Sequence, residues 1–61
     1  MEENLNTLIL FLKDNKVIHV DTHLNSIKES LKHIKPETRD DVITAMMLDK
    51  EGKLINRERL T

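Results

Sequence analysis

The amino-acid sequence predicts a mainly α fold: three helices over about 3–13, 22–34 and 38–50, joined by a short antiparallel two-stranded bridge that pairs 17–19 with 54–56. Three observations predict it. Lys13-Asp14-Asn15-Lys16-Val17-Ile18-His19 is echoed 37 positions on by Lys50-Glu51-Gly52-Lys53-Leu54-Ile55-Asn56, and an apolar-rich stretch precedes each copy, Leu5 to Leu12 and Val42 to Leu48. Two helix–turn–strand units whose short strands lie side by side satisfy that echo. Apolar residues recur at helical spacing before and between the copies, and the single Pro and single Gly stand at the margins of predicted helices.

In the first segment Leu5, Leu8, Ile9 and Leu12 follow i, i+3, i+4, i+7, and Phe11 widens the stripe. Leu10 falls off it, which offers Leu10 to a partner chain. Asp14-Asn15-Lys16 is a turn by composition, because Asn and Asp tolerate left-handed backbone. Val17, Ile18 and Val20 are β-branched and favour a short strand. Asp21 or Thr22 then caps the second helix. There Leu24, Ile27, Leu31 and Ile34 make a narrow apolar seam, with Lys28, Glu29 and Lys32 on the wet side.

Lys35-Pro36 ends that helix, since the residue before Pro is pushed out of the α region, and Pro36 suits the first position of a third. Glu37, Asp40 and Asp41 gather at its start and Lys50 and Lys53 at its end, as the helix dipole prefers. Gly52 would cap it. A rival reading makes Val42 to Leu48 a strand and Asp49–Lys53 a hairpin turn with Gly52 in the left-handed position. The propensity of Ala45-Met46-Met47-Leu48 favours the helix. Leu54-Ile55 is the second strand, and Asn56 is placed to cap a final turn.

A helix–loop–strand–helix unit repeated at this spacing resembles the EF-hand pair. Helix, Pro, helix and two strands also resemble a winged helix. Leu48 to Leu60 resembles the hairpin of AbrB-type transition-state regulators, with its Asp-x-x-Gly-basic turn. The departures from the EF-hand loop imply that layout without metal. Its loop-closing positions fall on Thr22 and Arg59, and Phe11, Lys13 and Val17 stand where oxygen ligands belong.

Sixty-one residues allow one domain, 1–61. Without Cys there is no disulfide or thiolate metal site, which fits a reducing, cytoplasmic setting. Ten Lys and Arg against eleven Asp and Glu, spread over both halves, leave no basic patch for nucleic acid or anionic lipid. The longest apolar run, Leu8 to Leu12, is too short to span a membrane, and the acidic Met1-Glu2-Glu3 start is unlike a signal peptide. With Phe11 the only aromatic residue and so small a core, extra burial through self-association, most simply a dimer, is expected.

Candidate chemistry is thin. His19 and His23 flank Asp21 across a predicted strand–helix junction, where no shared helical face brings ligands together, and His33 lies away from the seam. Asp40 and Asp41 are what a helix N-terminus recruits in any case. Ser26 and Ser30 lack a nucleophile elbow or adjacent base, and one Gly excludes a phosphate-cradling loop. These absences point to a protein that is not an enzyme and needs no cofactor. The expected function is a non-catalytic protein-binding regulatory module from a bacterium or phage, an adaptor or inhibitor that masks a partner surface through Leu10, Phe11, Ala45 and Leu48. The alternative is a small dimeric DNA-binding regulator using Arg39, Lys53, Arg57 and Arg59.

Overall fold

A computed structural model describes residues 5–60 of the chain, and here the fold departs from the helical expectation. Four antiparallel strands form one sheet: β1 (Asn6–Leu12), β2 (Val17–Thr22), β3 (Val42–Leu48) and β4 (Leu54–Arg59), in the order β2-β1-β3-β4. Two short helices, α1 (Ile27–Leu31) and α2 (Pro36–Arg39), lie in the connection from β2 to β3. Both of those strands run antiparallel to β1, which lies between them, so they are parallel to each other. A parallel pair needs a crossover over one face of the sheet, and α1 and α2 supply it.

The predicted helix at 3–13 is β1 instead; residues 3 and 4, like the acidic start, lie outside the described residues. Its apolar residues obey a period of two. Leu8, Leu10 and Leu12 are buried under the helices, while Thr7, Ile9 and Phe11 emerge on the opposite face. Both sets are largely apolar, so the alternation is invisible in composition, and the run satisfies helical spacing by accident.

The predicted helix at 38–50 is divided between α2 and β3. Pro36 does open a helix, but one of four residues, and Val42–Leu48 is extended. Here the strand-and-hairpin alternative holds: residue-level propensity gave way to pairing on both sides, with β1 and β4. The predicted helix at 22–34 shrinks to α1. Its N-cap is Ser26, whose hydroxyl accepts from Glu29 N–H at 3.3 Å. Thr22 Oγ1 instead accepts from Leu24 N–H at 3.1 Å and bends the chain after β2. Asn6 holds the same bend from below, its Nδ2 donating to Leu24 O at 2.9 Å and Asn25 Oδ1 at 2.8 Å.

Both copies of the echoed sequence are hairpin turns. In the first, Asp14 and Asn15 take positive φ of 64° and 62°, and Leu12 N–H donates to Lys16 O at 2.8 Å. In the second, Gly52 takes φ 84°, and Asp49 Oδ1 accepts from Glu51 N–H and Lys53 N–H, each at 2.9 Å. The strands that follow the turns do not meet. Residues 17–19 belong to β2 and 54–56 to β4, the two outer strands, with β1 and β3 between them. At about 4.8 Å per strand that separation is roughly 14 Å, so the predicted bridge between them is absent. With it go the EF-hand-like and winged-helix-like layouts.

The core is a single layer between sheet and helices: Leu8, Leu10 and Leu12 of β1, Val42, Ala45 and Met47 of β3, and Ile27 and Leu31 of α1. Val20, Ile34 and Leu60 pack around its rim. Ile27 and Leu31 of the predicted seam therefore face inward on a much shorter helix, and Ile34 packs against the core beyond its end. Two irregularities in register, at Phe11/Leu12 and at Met47/Leu48, insert Ile43 and Ile55 as extra residues. Such bulges sharpen the twist of a sheet.

Candidate functional site

The helices cover one face of the sheet, and the pairing register writes out the other. Three rows of side chains cross it from β2 to β4: Asp21, Thr7, Leu48, Leu54; then His19, Ile9, Met46, Arg57; then Val17, Phe11, Thr44, Arg59. No described element lies over these rows. The middle columns, from the two inner strands, are Thr7, Ile9 and Phe11 beside Leu48, Met46 and Thr44. They are chiefly apolar and half exposed, Phe11 at 37%. On the flanks Val17 is 50% and Leu54 56% exposed.

The two margins of this face differ in charge. On the β2 side stand Asp21 and His19; on the β4 side stand Arg57 and Arg59. The face is thus an apolar strip about two strands wide, acidic and polar along one border and basic along the other. Exposed apolar patches rimmed by polar residues are a mark of interaction surfaces.

The residues expected to bind a partner separate accordingly. Phe11 and Leu48 lie on the open face, whereas Leu10 and Ala45 have no exposed surface and belong to the core. Of the basic residues considered for nucleic acid, Arg57 and Arg59 share the open face. Lys53 sits in the β3–β4 turn, and Arg39 is on the helical layer, where its Nη1 donates to Leu31 O at 3.5 Å. The four do not converge. Ile9, Met46, Val17 and Leu54 belong to the face but were not expected there. The unbroken run Leu8-Ile9-Leu10-Phe11-Leu12 carried the signal, because an inner strand with two apolar faces reads as a continuous apolar run.

A groove of about 350 Å³ opens at the other side of β2, between its end and α1, lined by Val20, Leu24, Ile34, His23, Ser30 and His33 among others. Ser30 is 4% exposed and its Oγ has no hydrogen-bond partner, so no base engages it as a nucleophile. His19 is on the open sheet face and His23 lines this groove, which separates the two histidines. Among the described residues no cluster of three His, Cys, Asp or Glu is placed to hold a metal, and no helix is long and apolar enough to cross a membrane. No protein-family model, no curated protein and no solved structure matches the chain.

Proposed function

We propose that the chain is a non-catalytic protein-binding module that masks a partner's surface with the open face of its sheet. The observation that supports this reading most is the apolar strip of Ile9, Phe11, Met46 and Leu48 on a sheet whose inner strands give their other face to the core. Proteins retain such patches where another surface covers them. An unpartnered Ser30 hydroxyl and histidines on separate surfaces favour binding over catalysis. A chain without Cys suits a reducing compartment, in keeping with a cytoplasmic regulator.

Arg57 and Arg59, two apart on one strand, are the feature that favours the second reading, a nucleic-acid-binding regulator. Against it, the strip beside them would bring apolar side chains to a phosphate backbone, and Arg39 points elsewhere. One experiment separates the two readings. Capture of a defined protein partner that survives high salt and is lost in a folded Phe11→Glu variant supports the first. Retention on heparin that falls steeply with salt and depends on Arg57 and Arg59 supports the second, because phosphate binding releases counterions.

A further inference from the structure

We infer that the surface covering the open face is a second copy of this chain, packed face to face about a two-fold axis that runs along the strands. This rests on the reading of that face as a protein contact and names its occupant. Face-to-face sheets pack about 10 Å apart with strands nearly aligned, so the symmetry axis decides which strand meets which. An axis along the strands lays β2 of one copy over β4 of the other, and β1 over β3. Each row then faces itself: Ile9 of each copy meets Met46 of its mate, Phe11 meets Thr44, and Leu48 meets Thr7.

Charge selects this axis. The β2 border of one copy comes to lie against the β4 border of the other, with Asp21 beside Leu54, His19 beside Arg57 and Val17 beside Arg59, and the arrangement occurs twice. Asp21 is then one row from Arg57 of the mate, the one approach of opposite charges across the two borders, spanned by the long arginine side chain. The alternative axis, across the strands, lays β4 on β4 and brings Arg57 against Arg57 or Arg59 of the mate, a like-charge arrangement that disfavours association.

Area points the same way. A stable interface takes about 800 Å² from each partner, roughly one-sixth of the 4677 Å² that the chain exposes. Four strands of six or seven residues span roughly 19 by 22 Å, so only the whole face, and no single outer strand, approaches such an area. The pairing also gives the domain a second apolar layer, which a chain of 61 residues without disulfides needs more than a larger one does.

The test is the mass of the pure full-length chain by sedimentation equilibrium at micromolar concentration, alone and in mixtures. The wild type is expected to be a dimer and Phe11→Glu a folded monomer by circular dichroism. Asp21→Arg and Arg57→Asp, both at exposed positions, should each weaken the dimer roughly tenfold, since either change makes two repulsive contacts. Mixing these two variants one to one should restore the wild-type affinity, because both contacts are then attractive. That rescue does not depend on Phe11→Glu remaining folded.

A monomeric wild type overturns the inference, and so does a dimer that survives Phe11→Glu or charge variants that do not rescue each other. A monomer that captures a different protein, and loses it in Phe11→Glu, ends self-pairing but leaves the protein-binding reading standing. A folded Phe11→Glu chain that changes neither mass nor capture ends both.

Discussion

Leu10 of β1 lies directly opposite Ala45 of β3, and neither side chain has any exposed surface. The small residue leaves the space that the large one fills beneath α1. Leu10→Ala should therefore cost about 2–5 kcal/mol, and Ala45→Leu about 1–3 kcal/mol by overpacking. A domain this small has only ~3–5 kcal/mol to lose. Urea titration should find the first variant largely unfolded in buffer and the second destabilised but cooperative.

Asp49 fastens the β3–β4 turn by accepting two backbone N–H groups with one oxygen. Asp49→Ala is expected to lower stability by roughly 1–2 kcal/mol, the net worth of two exposed hydrogen bonds. Gly52→Ala meets no neighbouring atom within 4 Å, yet its φ of 84° strains any side chain. A cost of about 1–2 kcal/mol is expected from backbone alone. Parallel shifts in urea midpoint with unchanged m-values would check both.

Two substitutions at the ends of α1 should differ in size although both remove a contact to Glu29. Ser26→Ala removes the cap on Glu29 N–H and should cost about 1 kcal/mol. Lys32→Ala breaks an ion pair of 3.2 Å whose partners are 67% and 57% exposed, and should change stability by less than about 0.5 kcal/mol. Thermal melts at low and high salt should show the second effect shrinking further.

Ser30→Ala is expected to stabilise the chain by about 1 kcal/mol or more. The Ser30 hydroxyl is buried without a hydrogen-bond partner, and removing an unsatisfied polar group recovers its desolvation penalty. Ala is also the better helix former. A lower melting temperature for this variant would mean that the hydroxyl is satisfied in solution.

The punctuation of the fold was legible in the sequence, and its secondary structure was not. Asp14-Asn15 and Gly52 mark turns because their backbone must be left-handed, and they hold φ of 64°, 62° and 84°. Val17–Val20 reads as a strand from β-branching, and it is one. The inner strands failed because both faces of β1 and β3 carry large apolar residues. Leu5, Leu8, Ile9 and Leu12 then match helical spacing as well as alternation. Ser26-Ile27-Lys28-Glu29 held an N-cap signal, Ser followed three residues on by Glu, that was passed over for Asp21 or Thr22. The candidate site follows the same division. Leu48 reads as apolar surplus and Phe11 as part of the helical stripe, and the strands bring both to the open face. Leu10 and Ala45 were assigned outward only because a helix, not a strand, was drawn beneath them.

The outer strands carry a further consequence. β4 presents Asn56, Arg57, Glu58 and Arg59 in succession, a polar and charged margin that resists lateral growth into fibrils. Both outer strands nonetheless open on exposed apolar pairs without such a guard, Val17 at 50% and Ile18 at 36% in β2, Leu54 at 56% and Ile55 at 42% in β4. When the purified chain is concentrated or partly unfolded, amyloid-type stacking is therefore expected to start from these two strand openings, and Ile18→Lys together with Ile55→Lys should delay it.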